Sequence, residues 1–173
     1  MCSCANAGFV LAVTGAAGIV GQYAVQLGRH DGLTVIADAK PQDTALVESF
    51  GAHQVVPRGA AMAAAVRDRY PGGVDAVFDA ALLGQAILPA VRDGGQLLAV
   101  RAFDGEPERG IKVQMVLVGK HLHEGHRIAG LARLVDEGVL TLRVADVLPA
   151  ERCGEAHRRL EEGGVRGRLV LEF

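Results

Sequence analysis

The stretch VTGAAGIVGQYAVQLGR, Val13 to Arg29, joins the end of an apolar run to a run with helical spacing across a cluster of glycines. FVLAVTG (Phe9–Gly15) is continuously apolar and closes on glycine, the pattern of a strand buried on both faces of a parallel sheet. Downstream, Val20, Ala24 and Leu27 recur at helical spacing. A strand, a tight turn and a helix are expected here. Gly18 and Gly21 have the spacing of the last two glycines in G-x-G-x-x-G, with Ala16 at the first position and Gly15 just before it. Such a loop needs a tight turn, a backbone a pyrophosphate can approach, and close helix–strand packing. The helix amides then face the phosphates. The competing account is a glycine turn required for packing alone. Context favours a dinucleotide grip, because the loop follows a strand and opens a helix.

Outward from this loop the rhythm repeats. LTVIAD (Leu33–Asp38) reads as a second strand, and QDTALVESFG as a helix with Asp43 as its start signal and Gly51 just past its end. HQVVP is a short strand, AAMAAAVRDRY a helix, VDAVFDA (Val74–Ala80) a strand, GQAILPAVRDGG a helix closed by glycines, and QLLAV (Gln96–Val100) a fifth strand. IKVQMVLVGK (Ile111–Lys120) alternates like a sixth. Strand and helix alternating in this way imply an α/β, doubly wound parallel sheet of the Rossmann type with six strands. Beyond it, HRIAGLARLVDEG and AERCGEAHRRLEEGG read as helices and GRLVLEF as a closing strand, forming a short α+β C-terminal segment. The expected division is residues 1–8 as a disordered or irregular N-terminus, 9–120 as the dinucleotide-binding domain and 121–173 as the C-terminal segment.

Composition narrows the classes. The chain has 173 residues, half of them hydrophobic, and a formal net charge of −2, so nothing electrostatic points to nucleic acid or an anionic membrane as partner. Cys2, Cys4 and Cys153 make no disulfide framework, which fits a reducing compartment. No signal peptide or membrane-spanning run is read, so the expected location is cytoplasmic. Neither G-x-S-x-G nor a P-loop lysine is present, against hydrolase and nucleotide-triphosphatase readings.

Individual residues carry less. Asp38, at the end of the second strand, is placed to accept hydrogen bonds from adenosine ribose hydroxyls and to repel a 2′-phosphate, favouring NAD. It also reads as an exposed acid at a strand end, and Lys40 and Arg29 are near enough in sequence to offset it and admit NADP. HLHEGH gathers His121, His123, Glu124 and His126, but it is not H-E-x-x-H, and a solvated loop is the better reading, so no metal site is expected. Cys2 and Cys4 are too close for a C-x-x-C pair. Cys153 and His157 would share a helix face without a third group to orient the imidazole. Tyr23 and Tyr70 read as packing residues. No catalytic acid stands out, and no catalytic residue is assigned; in a dinucleotide-dependent enzyme the cofactor carries the chemistry and the protein orients it.

The residues VTGAAGIVGQYAVQLGRHDGLTVIAD, LVESFGAHQVVP, GGVDAVFDAAL and VRDGGQLLAV together resemble the cofactor domain of medium-chain dehydrogenases/reductases, in the zinc-independent quinone oxidoreductase branch. The tail LVDEGVLTLRVADVLPAERCGEAHRRLEEGGVRGRLVLEF resembles that branch's C-terminal segment. The resemblance implies hydride transfer from NADPH, or less often NADH, to a quinone or an activated, enone-like double bond, without zinc. By position it places Gly15, Ala16, Ala17, Gly18, Ile19, Val20 and Gly21 at the pyrophosphate, and Asp38 and Lys40 at the adenosine ribose. Ala80 and Ala81, with Val100 and Arg101, would line the path to the nicotinamide. Family members of this kind carry an N-terminal GroES-like barrel, which MCSCANAGF cannot supply. The C-terminal segment would then show an exposed apolar face, to be covered by another copy, a second protein or a rearranged tail. The sixth strand would be an edge, and pairing of such edges implies a homodimer. A non-catalytic dinucleotide-binding module, for sensing or assembly, is the reading from a different class.

Overall fold

A computed structural model describes residues 8–173; Cys2, Cys4 and the rest of the expected N-terminal irregular stretch before Gly8 lie outside the described residues. Six parallel strands form one sheet: β1 (Val10–Thr14), β2 (Thr34–Ala39), β3 (Gln54–Pro57), β4 (Val74–Asp79), β5 (Val91–Ala99) and β6 (Lys112–Met115). Their order is β3-β2-β1-β4-β5-β6, the doubly wound α/β arrangement that the alternation predicts. The strand order reverses between β1 and β4, and open α/β sheets bind ligands in the crevice at such a reversal.

Alternation along the strands divides the core in two. Ala12, Ile36 and Val77 enter a cluster with Met62, Val66, Ile87 and Leu97. Their neighbours Leu11, Val13, Val35, Ala37 and Ala76 enter a second with Val25, Val47 and Phe50. Successive strand residues point to opposite faces, so near-continuous apolar runs are what a sheet covered on both sides requires. The covering helices are α1 (Ile19–His30), α2 (Thr44–Ser49) and α3 (Ala61–Arg69). Asp43 stands just before α2 but makes no side-chain capping hydrogen bond there.

One expected element differs. GQAILPAVRDGG is helical only in its first part, as a 3-10 helix over Gly84–Ala90, and β5 already begins at Val91. Pro89 lacks an amide to continue a helix, and two distant arginines hold the chain extended. Arg67 donates to the carbonyls of Pro71, Pro89 and Val91, and Arg109 to those of Leu88 and Val91. Gly94, with φ +68°, lies in the bulge between the Val74↔Val91 and Ala76↔Gln96 pairs. The sixth strand is also shorter than its alternating sequence predicts, ending at Met115.

The chain divides into two compact units, Met1–Leu140 and Thr141–Phe173. The first ends with α4 (Gly125–Asp136), on which no residue is fully buried and Ile128 and Leu131 are exposed. In the second, β7 (Val144–Pro149) pairs in parallel with β8 (Arg168–Glu172), and α5 (Cys153–Glu162) follows β7. Arg159 on α5 reaches Asp146 on β7 at 2.7 Å, while Leu148 and Ala156 are buried. Val144, Val147, Leu160, Val170 and Phe173 of this unit remain exposed.

Candidate functional site

At the reversal of strand order, the turn between β1 and α1 is shaped by backbone geometry. Gly15 adopts φ +66°, a left-handed conformation that suits glycine. The Gly18 amide donates to the Gly15 carbonyl at 2.9 Å, closing the turn. A Cβ on Gly21 would overlap that same carbonyl, so Gly21 is required by packing whatever else the loop holds. Part of the glycine signature is therefore explained by the fold itself. The remainder points outward. No side chain caps α1, and its first turn contains no acid. The amides that open a helix have no partner within it, the geometry that suits a phosphate. Ile19 is buried beneath the loop, while Gly18 and Val20 are exposed on it.

The loop is bolted to the next strand. Thr14 donates its hydroxyl to Asp79 Oδ1 at 2.6 Å and accepts the Ala81 amide at 2.8 Å. Asp79 also takes the Leu83 amide on Oδ1 and the Gly84 amide on Oδ2, at 3.1 and 2.8 Å. The ends of β1 and β4 thus share one buried polar cluster, with Asp79 only 2% exposed. Ala80 and Ala81 lie against Gly15, whose hypothetical Cβ would meet their backbone at 3.2 Å. Beside them a cavity of about 440 Å³ opens at the ends of β4 and β5, lined among others by Asp79, Leu82, Gln85, Arg101 and Phe103. Val100 sits between Ala99 and Arg101, which both border it.

Asp38 behaves differently from an exposed strand-end acid: it is 1% exposed, and Oδ1 accepts the Ala16 amide at 3.0 Å. Its second oxygen is buried without a hydrogen bond of normal geometry. Burial pushes the carboxyl above the ordinary carboxylate range, against the Ala16 amide, the Arg58 charge and the Gly15 amide, with the Asp79 charge adding to the rise. An orphaned buried oxygen beside a glycine turn fits a ribose hydroxyl as its missing donor. A second cavity, of about 490 Å³, lies at the ends of β2 and β3 and is bordered by Lys40 and Arg58. Sequence reading names Lys40 but misses Arg58, which the end of β3 brings there. Arg29, the other cation expected to offset Asp38, is instead engaged with His53 at 2.7 Å. His53 in turn accepts the Val35 amide, and burial followed by the Arg29 charge hold it below the usual histidine range.

Among the described residues no group of three or more His, Cys, Asp or Glu is placed to hold a metal ion. In HLHEGH, His121 pairs with Glu124 at 3.0 Å, and Glu124 also meets Arg127. No described helix is long and apolar enough to cross a membrane.

Residues 50–171 match a family model described as zinc-binding dehydrogenase. Over 94% of its length the chain is 28% identical to a probable zinc-binding oxidoreductase, mitochondrial, of Arthroderma benhamiae. Over 92% it is 26% identical to the chloroplastic quinone-oxidoreductase QR1 of Triphysaria versicolor. In each case it spans about half of the relative, 51%. A solved structure described as an NAD-dependent alcohol dehydrogenase superposes with a TM-score of 0.80 at 28% identity, covering 96% of this chain and 51% of that one.

Proposed function

The chain belongs to the zinc-binding dehydrogenase family, and on that premise we propose that it is an NAD(P)H-dependent oxidoreductase that binds NADPH in preference to NADH and reduces a quinone or an activated double bond. The observation that carries this reading is the joined pair of loops at the carboxyl ends of β1 and β4, beside an uncapped α1. Bound there, the reduced nicotinamide would supply the hydride. The chain's own part is positional. Ile19 to Gly21 present the opening amides of α1 to the pyrophosphate, Gly18 keeps the turn closed, and the Thr14–Asp79 cluster fixes the β4 loop that faces the nicotinamide end. Lys40 and Arg58 supply the charge for a 2′-phosphate, while Asp38 is turned inward onto the Ala16 amide. Although the family description speaks of zinc, no three described His, Cys, Asp or Glu side chains converge on a metal position.

One observation favours NADH: the orphaned Asp38 oxygen would be completed by an unphosphorylated ribose. Because the chain spans about half of its relatives, the acceptor site is proposed to be completed by a further polypeptide wall. A purified sample titrated with NADPH and with NADH, read by nicotinamide fluorescence, tests the reading. Tighter NADPH binding is expected. Tighter NADH binding would reverse the cofactor assignment, and no binding of either would sink the oxidoreductase reading. Binding without reduction of any quinone in a panel would leave the non-catalytic module as the function of the chain alone.

A further inference from the structure

Among the described residues two that are not glycine have a positive φ, Leu82 and Arg109, and Leu82 stands at the end of the β4 loop. It has φ +62°, in the left-handed region where a leucine is an outlier. Its neighbours are pinned on both sides: Ala81 through its amide to Thr14, Leu83 and Gly84 through theirs to Asp79. A strained residue persists only where its surroundings over-determine it, and such residues cluster where ligands are clamped. Nothing in the core repays the strain, because Leu82 is 50% exposed and faces the cavity at the ends of β4 and β5. A glycine would suit this φ better, as the next glycine along, Gly84 with φ +54°, illustrates.

We propose that Leu82 is a ligand-contacting residue, an apolar platform for a flat conjugated ring bound over this cavity, and that its side chain is kept at the expense of backbone strain. The assignment rests on the nicotinamide-dependent reading above. The shared chemistry is a planar, weakly polar ring, supplied either by the reduced nicotinamide or by a quinone-like acceptor. Aliphatic carbon against such a face removes apolar surface from water and holds the ring without competing for protons.

The test uses the whole chain and two variants, Leu82→Gly and Leu82→Ala. Leu82→Gly should raise the melting temperature, since it removes strain, yet weaken ring binding about tenfold, the loss of one well-buried leucine contact. Leu82→Ala should weaken binding equally without the gain in melting temperature, because alanine keeps the strain. Three ligands separate the sources: NADPH, adenosine 2′,5′-bisphosphate, which lacks the nicotinamide, and a naphthoquinone offered to the NADP⁺-loaded chain. Weakened NADPH with unchanged bisphosphate assigns the nicotinamide. Unchanged NADPH with weakened naphthoquinone assigns the acceptor. Wild-type affinity for all three in Leu82→Gly overturns the proposal, and so does an equal loss for the bisphosphate, which would mark general damage to the loop. A wild-type chain that binds no nucleotide removes the oxidoreductase reading and this assignment with it; a binding wild type matched by Leu82→Gly removes this assignment alone.

Discussion

Asp38 and Asp79 stand at the carboxyl ends of β2 and β4, on either side of β1, and both are almost wholly buried. Their surroundings differ. Asp79 divides a hydroxyl and two amides between its oxygens, whereas Asp38 accepts the Ala16 amide on Oδ1, has the Gly15 amide nearby, and makes no hydrogen bond of normal geometry on Oδ2. A buried carboxylate with its acceptor sites occupied is part of the framework, while one left half-satisfied retains capacity for a further donor. Two acids of equal burial at matching strand ends therefore have unequal work.

Removing each acid is the strongest way to break that contrast. Asp79→Ala strips the acceptor from Thr14, Leu83 and Gly84 at once and should cost about 3 kcal/mol in urea unfolding. Asp38→Ala loses one amide acceptor but also removes an incompletely paired buried charge, and should change stability by no more than about 1 kcal/mol. Equal losses would mean that Asp38 is framework too.

A smaller effect probes the β2 side alone. Arg58→Ala should weaken NADPH about tenfold and leave NADH unchanged, measured by the same fluorescence titration. Parallel losses for both nucleotides would show that Arg58 does not read the 2′-phosphate.

The smallest effects lie in acid-range stability. Asp38 is raised when folded, so the folded chain holds its proton more tightly than the unfolded chain, and stability falls as pH rises from the ordinary carboxylate value through the raised one. Asp38→Asn should flatten that decline. Asp75 provides the opposite sign. Burial works against its charge, but the Val10 amide and Arg92 outweigh burial and hold it below the ordinary range. Its contribution is present above the ordinary carboxylate value and is lost as pH falls through its folded one. Asp75→Asn should therefore cost stability at neutral pH and progressively less in acid. Urea midpoints measured across the acid range check both slopes, and slopes of the same sign would refute the pairing.

What could be read in the sequence was what short-range pattern dictates. The strand ending at Thr14, the glycine turn and the alternation that follows need only neighbours to specify them, and the six-stranded parallel sheet came out of that pattern. The misread segment shows the limit. Gly84 to Gly95 has helical spacing, but its conformation is decided by Arg67 and Arg109, which lie 24 and 18 residues from the Val91 carbonyl they share. Asp38 shows the same limit at the site: its position was legible, its inward turn was not, because burial depends on strands far away in sequence. Arg58 carried no motif at all. Only the meeting of the β2 and β3 ends gives it a neighbourhood.

The brief 3-10 crossover between β4 and β5 also bears on the order in which the chain can assemble. Ala76 pairs with Gln96 after a short excursion, whereas the same Ala76 meets Leu11 across a separation of 65 residues, the spacing also bridged by Thr14 and Asp79. Closing the longer loop costs about 1 kcal/mol more in chain entropy. On loop length the β4–β5 pair, with its arginine-held segment, is the less costly of the two to close. By loop entropy alone, the crevice between the ends of β1 and β4 is thus expected to close after the neighbouring strand pairs of shorter separation.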